Sequence, residues 1–269
     1  MQFHHTYGDI CTIYLGSRPV ILVNGYKAVK EAMVDRGDDF LARGDLSILD
    51  AYFKNHGVAY TSDMHRWREL RRFSLTALRD FGMGKKSTEE KIQVEAACVV
   101  TELNKMQDIY FDPRECLTRA PCNIIFSIMF GNRVEYNNEE LLNLINYMYE
   151  AFRIISSPWG QLYDMFPRIM WHLPGRHHML FEYLSKLQLF VEKRVKLNKE
   201  TLDPNNPRDY IDAFLIRMEK EKMDLQSEFT LWNLLCTTIQ IFFAGTESLG
   251  STLTYSLMLM MKYPDVCSE

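Results

Sequence analysis

From Leu231 to Met261 the chain is apolar on every side, and no proline interrupts it between Pro207 and Pro264. The pattern predicts one helix over 228–262, about 34 residues and about 50 Å long. Apolar residues all round a helix mark a rod that runs through a core rather than along a surface. Such a rod demands cover along its length, which a large helical body supplies. Gln240, Glu247 and several hydroxyl residues interrupt the run, so it makes a poor membrane span. Its middle reads Ala244-Gly245-Thr246-Glu247-Ser248, a small and acidic notch. A glycine there costs about 1 kcal/mol relative to alanine, and a buried glutamate without a partner costs more. Spacing alone leaves two readings open: the small residues admit a neighbouring helix, or the notch carries chemistry.

The rest of the chain matches that demand. Residues 9–23 give two short β-rich runs around Gly16-Ser17-Arg18-Pro19, a hairpin signal. Helical periodicity then dominates over 26–35, 64–79, 88–107, 116–130, 139–154, 177–199 and 209–221. Gly, Pro, Asn and Asp mark loops at 43–62, 81–87, 109–115, 132–138, 155–176 and 202–208. The fold class is mainly α with a small β hairpin near the N-terminus. Across 269 residues there is no linker, repeat or low-complexity stretch, so one domain, or a piece of one, is expected. The net charge of −4 argues against a bulk-basic nucleic-acid binder. Six scattered cysteines without a CxxC pair, and the lack of an Asn-x-Ser/Thr sequon, favour a reducing, cytosol-facing environment. The opening MQFHHTYGDI lacks the apolar centre of a signal peptide.

Several chemistries are excluded by pattern. Gly82-Met83-Gly84-Lys85 lacks the upstream glycine of a phosphate loop, and there is no HExxH, no Glu-x-x-His and no Gly-x-Ser-x-Gly. His177-His178 is an isolated pair where the predicted 155–176 loop meets the next predicted helix. More informative is HRWRELRRFSLTALRDFGMGKK. Trp67 and Arg71 stand at i,i+4 and share one helix face. Arg68, Arg72 and Arg79 share another, about 100° away. The first face suits a buried carboxylate or phosphate, and the second an acidic partner. A solvated basic helix with a core tryptophan is the plainer alternative.

Together, WRELRRFSLTALRDFGMGKKSTEEKI and FFAGTES resemble the C and I helices of a cytochrome P-450, most closely the microsomal vertebrate family 2 type. NIIFSIMFGNRVEY resembles that family's E helix, HLPGRHHML its F–G loop, and LDPNNPRDYIDAFLIRMEKEK its H-helix region. The resemblance covers essentially the whole chain. It implies the N-terminal portion of the P-450 fold, ending just after the central I helix. It also implies a haem-thiolate monooxygenase that oxidises lipophilic fatty acids, steroids or xenobiotics, with electrons from NADPH through a reductase. By the same resemblance Trp67, Arg71 and Arg43 (in FLARGD) match residues that hold the haem propionates. Arg68, Arg72, Arg79 and Lys85 match cations that dock the acidic NADPH–cytochrome P-450 reductase, with cytochrome b5 as a second candidate partner. Ala244 and Gly245 match the oxygen groove, and Glu247 and Ser248 the acid–alcohol pair of a proton relay. Ser248 departs from the usual threonine and loses the methyl that restricts its rotamer.

The substrate-contacting regions of the family correspond here to Leu46, Leu49, Phe53 and Tyr60, to Phe152, and to Phe243 and Ala244. Apolar core packing is the plain alternative for each. Residues 163–175 match a segment that dips into the cytosolic leaflet of the endoplasmic reticulum, with Phe166, Ile169, Met170 and Trp171 beside Arg168 and His172. The sequence has no Phe-x-x-Gly-x-x-x-Cys-x-Gly loop and no proline-hinged anchor, and the family's Glu-x-x-Arg helix that supports the haem-side core is expected outside the chain as well. The axial cysteine is therefore expected outside this chain, and 1–269 is expected to be a single incomplete domain with apolar surface exposed. A non-catalytic fragment or isoform that competes for reductase is the alternative function.

Overall fold

The computed structural model describes residues 2–15, 18–106 and 109–267. They fall into two compact units, Met1–Gly44 and Asp45–Glu269.

In the first unit, α1 (Gln2–Tyr7) precedes β1 (Ile10–Leu15) and β2 (Arg18–Val23), which pair antiparallel with Ile10 opposite Val23 and Leu15 opposite Arg18. The predicted hairpin is present; its Gly16-Ser17 turn lies outside the described residues. A short helix, α2 (Tyr26–Lys30), follows and widens into a π-helical turn over Glu31–Asp35.

The second unit is helical. Its elements are α3 (Ser47–Phe53), α4 (Met64–Asp80), α5 (Lys86–Lys105), α6 (Arg114–Phe130), α7 (Glu139–Ile155), α8 (Pro158–Met165), α9 (Pro167–Met170), α10 (His177–Glu200), α11 (Tyr210–Lys220), α12 (Leu231–Lys262) and α13 (Pro264–Cys267). Side-chain caps start several of them: Asp63 accepts from His65 N and Arg66 N, Asn138 from Leu141 N, Asp209 from Asp212 N and Thr230 from Asn233 N. The Arg66 backbone bond, outweighing an opposing push from burial and helped by the Arg66 charge and the His65 backbone bond, holds the Asp63 carboxyl below its usual range.

Two predicted loops contain helices. Residues 43–62 include α3, and 155–176 include α8 and α9. The prolines that suggested a break, Pro158 and Pro167, stand in the first helical turn, where a missing N–H costs nothing. The start of α3 takes its partner from far away: Ile48 N donates to Asp164 Oδ1 at 2.9 Å.

The core gathers around α12. Phe242 meets Phe126 and Phe130 of α6, and both of these pack on Phe190 of α10, with ring centroids 4.7–6.1 Å apart across the group. A second aromatic group joins Phe73 of α4 to Tyr210, Phe214 and Phe229. Cys122 and Cys236 are buried there, and burial pushes both thiols up to about 12, so they act as small apolar residues. Among the described residues no helix is long and apolar enough to cross a membrane, and no cluster of three His, Cys, Asp or Glu could hold a metal ion.

Candidate active site

Six of the seven residues predicted to meet substrate line one cavity of about 100 Å³. They are Leu49 and Phe53 from α3, Tyr60 from the following loop, Phe152 from α7, and Phe243 and Ala244 from α12. Phe53 and Tyr60 stack at 5.4 Å, and Phe152 leans on Phe243 at 4.3 Å. Burial raises the Tyr60 phenol above its usual value, so it stays neutral. Leu46 is outside, 42% exposed, just ahead of α3. The sequence missed Ala59, Ile155, Leu184, Ile239 and Gln240, which complete the lining. Ile239 and Gln240 stand four residues before Phe243 and Ala244, a spacing that could have found them. Leu184 carries no local signal, because only the packing of α10 brings it there.

The AGTES notch divides between two neighbours. Ala244 faces the cavity. Gly245 turns to α6, where a Cβ would stand 2.7 Å from Ile125 Cγ1. Five residues on, a Cβ on Gly250 would come within 2.6 Å of Thr118 Oγ1 and 3.1 Å of Thr118 Cα. The helix-packing reading therefore describes Gly245, while Ala244 is the small residue that opens on the cavity. Glu247 and Ser248 are not joined by a hydrogen bond. Ser248 Oγ donates to Ala244 O at 2.6 Å, and Glu247 Oε1 accepts from Ser251 Oγ at 3.1 Å. Glu247 lines a separate cleft with Arg114, Thr118 and Tyr149. Successive residues lie about 100° apart on a helix, which aims the acid and the alcohol differently.

On α4, the Arg71 guanidinium lies over the Trp67 ring, 5.4 Å from its centroid. Stacking fixes the plane of the guanidinium and leaves its N–H fork free to bind a carboxylate. The indole N–H adds a further donor. This donor set fits a propionate. Arg43 is exposed at the end of the first unit. Arg68, Arg72 and Arg79 are exposed along α4, and Lys85 Nζ donates to Asp80 O at 3.1 Å. Arg72 also lines a surface cleft with Arg217, Phe73 and Phe229.

Within 163–175, Met165, Phe166, Ile169, Trp171 and Leu173 are exposed beside Arg168 and His172. Met170, predicted to be exposed with them, is 5% exposed and points into the core, because it falls on the inner side of the single turn of α9. His177 is fully buried between Tyr163 and Trp159, while His178 Nε2 meets Leu173 O.

The Cytochrome P450 family model matches residues 1–269. The chain is 47% identical over 266 residues to Cytochrome P450 2G1 of Oryctolagus cuniculus, covering 99% of this chain and 54% of that protein. Cytochrome P450 2G1 of Rattus norvegicus is 46% identical, and Cytochrome P450 2B4 of Oryctolagus cuniculus 44%, with the same coverage. The chain spans about half the length of these curated relatives. It belongs to the cytochrome P450 family.

Proposed function

We propose that this chain supplies the oxygen and substrate side of a haem-dependent monooxygenase acting on lipophilic small molecules. The observation that carries the proposal is an apolar cavity that opens on Ala244 and is lined by aromatic pairs. Haem, when bound, would supply activation of dioxygen with electrons from NADPH through a reductase. Trp67 and Arg71 would hold a propionate by charge-assisted hydrogen bonds, and Arg43 would serve a propionate too.

In the cavity, Leu49, Phe53, Tyr60, Phe152 and Phe243 bind the substrate by excluding water, and the ring pairs orient it. Ala244 keeps that wall low, so that substrate and dioxygen can approach. Glu247 and Ser248 are the proton carriers. In the arrangement seen here each is engaged elsewhere, so delivery requires the Ser248 hydroxyl to leave Ala244 O by a rotation about χ1. Serine makes that rotation more freely than threonine.

On this reading the chain works at the cytosolic face of the endoplasmic reticulum, with Phe166, Ile169 and Trp171 meeting the bilayer surface. Arg68, Arg72, Arg79 and Lys85 present the positive face for the acidic reductase or cytochrome b5.

The test is hydroxylation of a steroid by the haem-loaded protein with reductase, NADPH and isotopically labelled dioxygen. One labelled oxygen atom per oxidised product is expected. Haem-loaded protein that yields no labelled product would overturn the proposal.

A further inference from the structure

The cavity wall at 54–60 has no regular secondary structure and is held in an unusual shape. Lys54 and Asn55 both adopt left-handed backbone angles, with φ of 50° and 61°. Non-glycine residues persist in that region only where their surroundings hold them.

Arg66 Nη1 donates to Asn55 O at 2.7 Å and Ser62 N to Asn55 Oδ1 at 2.6 Å, and two amides on one face of α12 hold the residues that follow. Gln240 Oε1 accepts from Ala59 N at 2.8 Å, and its Nε2 donates to His56 O at 3.0 Å. Two turns earlier, Asn233 Oδ1 accepts from Gly57 N at 3.2 Å while its Nδ2 donates to Glu228 O at 2.8 Å. Gly57 has φ +84 and sits so close that a Cβ would stand 2.4 Å from Gln240 Oε1. At these groups the side-chain amides of α12 take the place of a backbone neighbour.

Gln240 is the more telling of the two, because it also lines the cavity and is 4% exposed. Its amide oxygen and nitrogen are both engaged by the loop, so the cavity is left with an apolar wall. The residue that follows the latched Ala59 is Tyr60, the ring stacked on Phe53.

We infer that Gln240 is a positioning residue that latches the 56–60 loop closed over the substrate cavity, setting the place of Tyr60 and thereby the cavity's fit to its ligand. The inference rests on the proposed reading of this cavity as the substrate site. Released from the amide, Ala59 and Tyr60 can swing outward and the cavity opens on that side.

The experiment compares wild type, Gln240→Leu and Gln240→Glu. Binding of the neutral fluorophore N-phenyl-1-naphthylamine is titrated, and hydrogen exchange of the Ala59 amide is followed in the same samples. Leucine keeps the bulk and removes both bonds, so probe affinity should fall about tenfold, with faster Ala59 exchange and unchanged helix content. Glutamate at neutral pH still accepts from Ala59 but sets a carboxylate against the His56 carbonyl, so it should behave like leucine. As pH is lowered and the carboxyl gains a proton it can donate again, and affinity should return towards wild type. A merely space-filling role would not show that reversal. Wild type over the same range controls for His56, the imidazole on the loop. Wild-type affinity and Ala59 protection in Gln240→Leu, or no reversal in Gln240→Glu, would overturn the inference. If Gln240→Leu does not fold, the reversal in Gln240→Glu decides alone. Failure of the underlying reading looks different: no variant, wild type included, binds the probe, while Ala59 exchange still reports the latch.

Discussion

Over its first half, from Asn233 to Phe243, α12 is wrapped: α6, α10, the loop after α3 and the aromatic rings of Phe126 and Phe130 leave it buried almost throughout. Over its second half, Leu249, Leu253, Tyr255, Met258, Leu259 and Met261 are exposed, Met261 by 77%. Both halves are rich in apolar residues, so hydropathy states how much cover a helix needs and not which element provides it. In the covered half Asn233 and Gln240 bind the loop, whereas the buried hydroxyls of Thr237 and Thr238 have no hydrogen-bond partner among the described residues. In the bare half, hydroxyls turn back on their own helix: Thr252 Oγ1 donates to Ser248 O, and Ser256 Oγ to Thr252 O. The AGTES notch sits at the border, with Ala244 on the cavity and Gly245 against Ile125.

The sharpest way to break this contrast is to cut equivalent side chains from the two halves. Phe242→Ala opens the aromatic group shared with Phe126 and Phe130 and should lower stability by about 3–5 kcal/mol in urea unfolding. Leu259→Ala should stay within about 0.5 kcal/mol; similar losses at both sites would erase the distinction. Gly250→Val tests a close contact of the second half. Its side chain would meet Thr118 on α6, at an expected cost of about 1–3 kcal/mol. Thr230→Ala removes the cap from the wrapped end and should cost about 1 kcal/mol, with earlier exchange at the Asn233 amide.

A smaller, pH-dependent effect comes from the join between α10 and α11. Burial would raise the Asp212 carboxyl, but bonds from the Arg208 side chain and backbone N, together with Asn198, outweigh it and hold the group below its usual range. The folded state thus favours the charged form. The stability it lends is complete above the unfolded value of 3.8 and is lost as pH falls through the lower folded value. Asp209, pushed up mainly by burial, works in the opposite sense, losing stability as pH rises through its folded value. Unfolding of Asp212→Asn should therefore show a shallower loss towards acid than wild type.

Much of the scaffold was legible because its signals are local. Helical periodicity marked the long helices of the second unit, and the β-rich runs within residues 9–23 marked the hairpin. The helices that escaped are short and owe their stability to distant partners. The first turn of α3 is completed by Asp164, more than a hundred residues away, and α8 and α9 begin with prolines that local rules treat as breaks. In the cavity, the aromatic residues were legible through family resemblance. Gln240 was read only as a polar interruption that disfavours a membrane span, since nothing local shows which backbone it will bind. Gly245 and Ala244 are adjacent in sequence, and only the crossing with α6 separates their environments.

The most direct test of the account is haem binding through the propionates. Haemin and its dimethyl ester, in which both propionates are masked, are titrated into the protein and followed by Soret absorbance. Haemin should bind about tenfold more tightly than the ester, with the difference reduced in Arg71→Gln. Equal affinity for the two porphyrins, or a preference undiminished by loss of Arg71, would contradict that expectation.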